Sequence, residues 1–287
     1  MILITGATGR LGTKVITELL KNISPSEIAI YTREEKKAKK WKELGISIRT
    51  GDFSDKGNLN RAYQGIDRLL LIPMVTPGDF SHYINVIDAA VESGIKHLYY
   101  ASQAFNHNIE QSKLGIFRDT YRFTENYIKK SGLGYTIFQN GLYADTIPFF
   151  IGQHLPINGI NFPAGHGKSS FITRDDVGEA MAKIILKKNK SNATYVFTGS
   201  ESYSFIDVAD ILGDLSGHEI PFLNTDQESF ESMLRENGSG EDEILFRALY
   251  SRAIEDGEFE VCDGTIGQIL LKQPATLKEY LKATYLP

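Results

Sequence analysis

Short apolar stretches alternate with amphipathic stretches along residues 1–140, and this alternation constrains the fold more than any other feature of the chain. The apolar stretches have the length of strands, and the segments between them carry apolar residues at helical spacing. Strands that are apolar on both faces and separated by helices form a parallel sheet that is covered on both sides. We therefore predict a doubly wound α/β fold of the Rossmann type. The predicted strands are 2–5, 28–32, 46–49, 68–72, 97–102 and 135–138.

After residue 140 the alternation weakens, and the chain becomes rich in Gly, Pro and Asn with aromatic residues between them. Helical spacing returns later, and the predicted helices are 177–185, 206–215, 227–236 and 277–283. The acidic, Gly/Ser-rich segment 236–243 is predicted to be a mobile loop. We predict a first domain over residues 1–145, to which residues 171–200 return, and a smaller C-terminal α/β region over 146–287. This smaller region should cover the carboxyl edge of the sheet as a lid.

The charge balance and the single cysteine exclude several classes of protein. Asp and Glu total 36 against 31 Lys and Arg, whereas nucleic acids and anionic membranes are bound through a concentrated positive face. Cys262 has no disulfide partner, and the six histidines are too dispersed for a metal site. No apolar run approaches the roughly 20 residues that span a bilayer, and no secretory signal is visible. We expect a soluble, cytoplasmic protein without a metal, a nucleic-acid partner or membrane contact, and a homodimer is one option for its oligomeric state.

A glycine-rich turn lies directly between the first predicted strand and its helix. Its residues are Gly6, Ala7, Thr8, Gly9, Arg10, Leu11 and Gly12. Glycines at these positions permit a tight turn, a close approach to a pyrophosphate and close packing of the helix on the sheet. The start of the helix offers free N–H groups and a partial positive charge to phosphates. At the first strand–helix junction of such a series, the turn predicts dinucleotide binding.

The end of the second strand indicates which dinucleotide is bound. An NAD site usually places Asp or Glu there to accept from the ribose 2′-OH. Here Arg33 can pair bidentately with a 2′-phosphate and stack on adenine, and Arg10 can assist from the turn. Glu34 and Glu35 keep NAD(H) open, but we predict a preference for NADP(H). Most of the following lysines are better explained as a solvated helix surface: Lys36, Lys37, Lys39 and Lys40.

Asp52 and Phe53 follow the third strand, where a carboxylate can accept from the adenine amino group. Asp52 is also well suited to capping a turn, so its role stays open between these two interpretations.

These residues and several further motifs resemble one known family. The motifs occur in the order GATGRLG, GDFSD, LLLIP, YYAS, YTIFQNGLY, FITRDDVGEA and TLKEY. They resemble the NmrA-like branch of the atypical short-chain dehydrogenase/reductase superfamily, and within it the bacterial type-two class of NAD(P)H:quinone oxidoreductases. The resemblance covers essentially the whole chain.

The resemblance implies several site residues. It implies that Ile72, Pro73 and Met74 border the nicotinamide ribose. It also implies that nicotinamide and substrate lie near Gln139, Asn140, Gly141 and Tyr143. Ser102 falls at the position of the catalytic serine of the superfamily, although a hydroxyl at the end of a strand can equally cap the loop that follows.

One departure from the superfamily pattern bears on mechanism. The usual reductase pairs a Tyr with a Lys four residues later, and the Lys lowers the pKa of the Tyr so that it can protonate a carbonyl oxygen. Here Tyr121 is followed at that spacing by Glu125, and a carboxylate is expected to raise the pKa of a tyrosine. Ketone reduction, alcohol oxidation and sugar epimerisation are therefore disfavoured.

Quinone reduction does not need that proton relay. Hydride transfer gives a phenolate-like anion. The conjugate acid of such an anion has a pKa of about 10, so water can supply the proton. The candidate catalytic residues are Ser102, Tyr121, Asn140 and Tyr143, the nicotinamide carries the chemistry, and no flavin is expected. Aromatic residues at 149, 150 and 162 can line a pocket for a flat ring, although such residues more often belong to a core.

Two functions remain open at this stage. The first is an NADPH-dependent, flavin-free reductase of quinones or similar electrophiles. The second is a non-catalytic sensor of the NAD(P) redox state, as the NmrA-like resemblance also allows. The absence of the Tyr–Lys pair is expected for both, and the likeness to quinone reductases over the whole chain favours the enzyme.

Overall fold

The computed structural model describes residues 1–73, 78–187 and 191–286, and a parallel sheet of seven strands lies at its centre. The strands of the described residues are β1 (Ile2–Ile4), β2 (Ile28–Thr32), β3 (Ser47–Thr50), β4 (Arg68–Leu71), β5 (His97–Gln103), β6 (Gly134–Asn140), β7 (Ile160–Asn161), β8 (Ala193–Phe197) and β9 (Phe222–Leu223). The order in the large sheet is β3-β2-β1-β4-β5-β6-β8. The order reverses at β1, and a crevice for ligands opens at such a switch point.

Helices cover both faces of the sheet. One face packs against α1 (Arg10–Leu19), α2 (Lys39–Glu43), α7 (Arg174–Leu186) and α11 (Thr265–Leu270). The other face packs against α3 (Lys56–Ala62), α4 (Ser81–Glu92) and α5 (Ile116–Lys130). Because the central strands β1, β2, β4 and β5 are buried on both sides, their side chains form nearly continuous apolar runs, whereas the edge strands β3 and β8 are only partly buried. This arrangement confirms the predicted doubly wound fold.

The C-terminal region adds a third apolar core beside the carboxyl edge of the sheet. Its helices are α6 (Ile147–Ile151), α8 (Phe205–Ser216), α9 (Gln227–Glu236), α10 (Glu241–Glu255) and α12 (Leu277–Tyr285), and β7 and β9 pair in parallel as a small second sheet. Among the described residues, no helix has both the length and the apolar character needed to cross a bilayer. The division into domains at residue 145 stays a prediction.

The structure corrects the predicted elements in two places. The six predicted strands are found with ends shifted by at most two residues, but β8 was not predicted. It pairs with β6 and extends the sheet. The predicted mobile loop 236–243 is wrong over its last three residues, because α10 begins at Glu241. Acidic residues in a first helical turn are stabilised by the helix dipole, so the same residues suit a helix start.

Candidate functional site

A cavity of about 890 Å³ lies where the strands of the large sheet end. One end is bounded by the glycine-rich turn and by residues 31–34 and 37, and the opposite end is bounded by aromatic side chains of the C-terminal region. The middle is lined by Ile72 and Pro73, which follow β4, and by Ser102 near the end of β5. One continuous cavity therefore joins an anion-binding turn to an apolar, aromatic space.

The glycine-rich turn has the shape that a diphosphate requires. Gly6 has a φ of 61°, which only glycine adopts without strain. A Cβ at Gly12 would overlap the carbonyl oxygen of Gly6, so the helix starts directly against the turn. Helix α1 begins after Gly9 without a side-chain cap, and its first N–H groups are therefore free for an anion. All the predicted turn residues line the cavity: Gly6, Thr8, Gly9, Arg10, Leu11 and Gly12.

The adjoining end of the cavity carries two exposed cationic side chains. Arg33 lines the cavity, as predicted, and it makes no ion pair within residues 1–73, 78–187 and 191–286. Lys37 also lines the cavity, and its Nζ lies 2.6 Å from Oε1 of Glu34. Lys37 was interpreted as solvated helix surface, yet it lies in a short 3-10 helix (Glu35–Ala38) that begins two residues after Arg33. The four-residue separation from Arg33 is the sequence signal that could have identified it.

Asp52 and Phe53 form the wall beside these cations. Asp52 Oδ1 accepts from the backbone N–H of Ser54 at 2.9 Å, and this bond holds the pKa of the Asp52 carboxyl below its usual range. Asp52 therefore caps a turn, as one interpretation predicted, and it also lines the cavity. Its contact with an adenine amino group stays a prediction. The ring of Phe53 stacks on Tyr31 with centroids 5.8 Å apart, and this stacking orients the wall.

Ser102 is held by a buried carboxylate. Its Oγ donates to Oε1 of Glu125 at 2.6 Å, and the Gln139 amide donates to both Glu125 oxygens at 3.0 and 3.1 Å. Because the Ser102 proton faces Glu125, the lone pairs of Ser102 are what it can offer to the cavity. Gln139 does not line the cavity, since its side chain turns to Glu125.

Tyr121 lines the cavity, but the rise in its pKa has a different cause from the one expected. Burial raises the pKa of Tyr121 well above its ordinary value, and the neighbouring hydroxyls of Tyr250, Tyr100 and Tyr143 raise it further. The expected direction is confirmed, whereas the expected cause is wrong. Glu125 lies four residues away on the same helix but is engaged with Ser102 and Gln139.

Tyr143 lies in the cavity wall, between Asn140 and Arg174. The Asn140 amide donates to the Tyr143 hydroxyl oxygen at 3.0 Å, and the Arg174 guanidinium lies 4.3 Å from the ring centre. Burial raises the pKa of Tyr143 to about 12, although Arg174 and Asn140 oppose the rise. The Tyr143 hydroxyl consequently stays protonated at neutral pH.

Asn140 and Gly141 lie behind the cavity wall rather than in it. Asn140 is fully buried, and it acts on the cavity wall through its hydrogen bond to the Tyr143 hydroxyl. A Cβ at Gly141 would lie 3.0 Å from the carbonyl oxygen of Ser170, so its backbone packs tightly against the C-terminal region. The predicted residue Met74 lies outside the described residues.

A charged network connects the glycine-rich turn to the C-terminal region. Arg10 Nη1 lies 3.4 Å from Oδ1 of Asp145, and the Arg10 side chain is 75% exposed. Asp145 also accepts from the backbone N–H of Arg174 at 2.9 Å. Such an exposed ion pair is weak and easily replaced by a stronger anion, so Arg10 can still turn toward a phosphate.

The aromatic end of the cavity is formed mainly by Phe149, Phe246 and Tyr250. Phe149 meets Phe246 edge to face at 5.6 Å, and Phe246 stacks on Tyr250 at 4.2 Å. Phe149 therefore confirms the pocket interpretation. Phe150 and Phe162 are instead fully enclosed in the C-terminal core.

Comparison with known proteins agrees with this arrangement. The model of the NmrA-like family matches residues 1–281. The chain belongs to the NmrA-like family. This assignment confirms the resemblance drawn from the sequence motifs.

Relatives of this NmrA-like protein include named oxidoreductases. Quinone oxidoreductase 2 of Escherichia coli K12 is 32% identical over 239 residues, covering 83% of this chain and 82% of the relative. The crystal structure of the E. coli NADPH-dependent quinone oxidoreductase QOR2 complexed with NADPH has a TM-score of 0.90 at 29% identity and covers 99% of each chain. The Citrobacter sp. triphenylmethane reductase complexed with NADP(H) has a TM-score of 0.89 at 26% identity, again over 99% of each chain. The expectation of an enzyme that resembles quinone oxidoreductases is confirmed.

Two aromatic residues of this NmrA-like protein were missed by sequence reasoning. Phe246 and Tyr250 lie on α10, directly after the segment predicted as a loop. Their spacing of four residues is a helical signal, but the Gly/Ser-rich composition of 238–240 obscured it.

Proposed function

We propose that this protein reduces quinones or similar aromatic electrophiles by direct hydride transfer from NADPH, without a flavin. The observation that carries the proposal is the single cavity that joins the glycine-rich turn to an aromatic end. A dinucleotide placed along the turn would extend its nicotinamide toward the aromatic residues, where a flat substrate ring fits. The E. coli NADPH-dependent quinone oxidoreductase QOR2 matches 99% of this chain in structure, which supports the same chemistry.

The residues of the turn would hold the cofactor, and the cations beside it would select NADPH. The N–H groups at the start of α1 would bind the diphosphate, while Arg33 and Lys37 would supply positive charge for the 2′-phosphate. Ile72, Pro73 and Ser102 would border the nicotinamide end. When bound, the dihydronicotinamide supplies one hydrogen with two electrons, and the protein supplies position and electrostatics.

Ser102 would act as a hydrogen-bond acceptor for the cofactor. Since the Ser102 hydroxyl donates its hydrogen bond to Glu125, the Ser102 oxygen presents lone pairs to any N–H group in the cavity. A carboxamide N–H is the group of the nicotinamide that such an acceptor can bind. Glu125 and Gln139 are positioning residues in this scheme, because they set the rotamer of Ser102.

Quinones fit the site better than ketones because of the state of its tyrosines. The pKa of Tyr143 is about 12, and that of Tyr121 is well above its ordinary value. Each hydroxyl is a weaker acid than an ordinary tyrosine, so neither is activated to protonate the oxygen of a ketone during its reduction. A hydroquinone anion, with a pKa of about 10, takes its proton from water.

The proposal is tested by mixing the purified protein with NADPH and a panel of quinones in the absence of flavin. We expect NADPH absorbance to fall in proportion to quinone consumed, with one NADPH oxidised for each quinone. A simple aliphatic ketone serves as the control acceptor and should not be reduced. Loss of NADPH with the ketone but not with any quinone would contradict the proposal.

A non-catalytic sensor of the NAD(P) redox state is the second candidate. It would use the same turn and the same Arg33, and it is favoured by the observation that the tyrosines nearest the aromatic end are poor acids. Tight binding of NADPH with no turnover on the panel, combined with a different affinity for NADP⁺, would identify this function.

A further inference from the structure

Five tyrosines line the cavity, and three of them belong to separate elements around its aromatic end: Tyr121 of α5, Tyr143 after β6 and Tyr250 of α10. Within the described parts of the chain, the hydroxyls of Tyr121 and Tyr250 make no hydrogen bond. The Tyr143 oxygen accepts from Asn140, so its own O–H remains unused. A hydroxyl that lacks a partner beside apolar rings costs free energy unless a ligand or water satisfies it.

The rings that carry these hydroxyls are held in place by neighbouring aromatic residues. Tyr250 stacks on Phe246 at 4.2 Å and on Phe259 at 5.6 Å. The ring centroid of Tyr121 lies 6.0 Å from that of Phe105, and the Phe105 centroid lies 5.9 Å from that of Phe259. Because the rings are fixed, each hydroxyl can adjust only by rotating its O–H bond, which preorganises the donors toward the cavity.

These donors keep their protons at neutral pH. Burial raises the pKa of Tyr250, and the Tyr143 hydroxyl adds to the rise. Burial likewise raises the pKa of Tyr121, and among the neighbouring hydroxyls that of Tyr250 adds most to the rise. Each group is therefore a weaker acid than a hydroquinone, so it donates a hydrogen bond to a phenolate without transferring its proton.

We propose that Tyr250, together with Tyr121, binds the substrate oxygen that becomes negatively charged during reduction. This inference rests on the proposed function and adds a catalytic residue from the C-terminal region. In the step, a C–H bond of the dihydronicotinamide breaks with its electron pair, and an O–H bond forms at one quinone oxygen. The ring becomes the hydroquinone monoanion, whose charged oxygen accepts from Tyr250 and Tyr121. Water then supplies the second proton.

The test measures binding of an anion that resembles this product, and it does not require turnover. The protein saturated with NADP⁺ is titrated with 4-nitrophenolate, and in parallel with uncharged nitrobenzene. We expect Tyr250→Phe and Tyr121→Phe each to bind nitrophenolate about 10- to 100-fold more weakly than the unmodified protein, since a hydrogen bond to a charged acceptor is lost. Nitrobenzene affinity and NADP⁺ affinity should not change.

Tyr195→Phe is the matched control, because Tyr195 lies on β8 and does not line the cavity; it should bind both ligands as the unmodified protein does. The inference is overturned if the Tyr250→Phe protein binds nitrophenolate normally, or if the unmodified protein shows no preference for nitrophenolate over nitrobenzene. If the preference is present but no quinone is reduced, the proposed function fails while the anion site stands. Retained NADP⁺ binding shows that each variant is folded.

Discussion

Arg33 and Lys37 concentrate positive charge at one end of the cavity, and they differ in what they can contribute. The planar guanidinium of Arg33 can bind a phosphate with two parallel hydrogen bonds, whereas the Lys37 ammonium acts as a point charge. Lys37 is also partly neutralised by Glu34 at 2.6 Å. Arg33 should therefore dominate discrimination between the two dinucleotides.

The substitution Arg33→Asp tests this role at the scale of one residue. We expect NADPH affinity to fall about 10- to 100-fold, because a charge-assisted bidentate contact is replaced by repulsion. NADH affinity should change by less than about 3-fold, because NADH has no 2′-phosphate. Calorimetric titration with both nucleotides measures the two values.

The control for that experiment is Lys36→Asp, since Lys36 is exposed and does not line the cavity. It applies the same change in net charge without touching the site. Equal losses of NADPH and NADH affinity in Arg33→Asp would refute the assigned role.

At the scale of secondary-structure elements, a buried ion pair connects the two sides of the aromatic end. Glu258, which follows α10, lies 3.7 Å from Arg118 of α5, and their side chains are 0% and 4% exposed. Ser112 Oγ also donates to Glu258. The pair thereby fixes α5 relative to α10, the helices that carry Tyr121 and Tyr250.

Replacing one member of this pair should be costly. Glu258→Gln leaves the Arg118 charge buried without a counter-charge, so we expect the free energy of unfolding to fall by about 3–5 kcal/mol. Glu260→Gln, at an exposed position two residues later, should change it by less than about 0.5 kcal/mol. Urea denaturation of both variants measures the difference, and similar values for the two would show that the pair does not stabilise the fold.

The elements also show where sequence reasoning succeeds and where it stops. Buried strands such as β2 were predictable because apolar, β-branched runs bounded by turn residues have few alternatives. The glycine-rich turn was predictable because backbone geometry alone dictates its residues. Helix α10 was missed because the composition of its first turn also suits a loop. The Ser102–Glu125–Gln139 contacts depend on three elements meeting in space, and no local pattern records that.

Across the whole molecule, many tyrosines are buried, and this has a consequence for stability in alkali. Burial raises the pKa of Tyr83 and of Tyr143 to about 12, whereas tyrosines in an unfolded chain ionise near pH 10. Between about pH 10 and pH 12 the folded state keeps protons that the unfolded state releases, so stability must fall as pH rises. Below the pKa of tyrosines in the unfolded chain, this contribution to stability is fully present.

We therefore expect the urea midpoint to be level near pH 8 and to decrease steeply above about pH 10. Tyrosinate absorbance should appear together with the loss of helical circular dichroism, because the buried rings ionise only on unfolding. In Tyr143→Phe, the free energy of unfolding should decrease with pH less steeply, by about 1.4 kcal/mol per pH unit. A midpoint that stays constant up to about pH 11 would contradict the expectation.

The cavity draws its two ends from different stretches of the polypeptide. The proposed diphosphate site lies within residues 6–12, whereas much of the proposed wall for the substrate ring lies on α10, more than two hundred residues later along the chain. Under the proposed function, exchange of the α9–α10 hairpin would alter which electrophile is accepted while the source of reducing equivalents stays the same. A scaffold divided in this way can diversify its substrates by remodelling one hairpin.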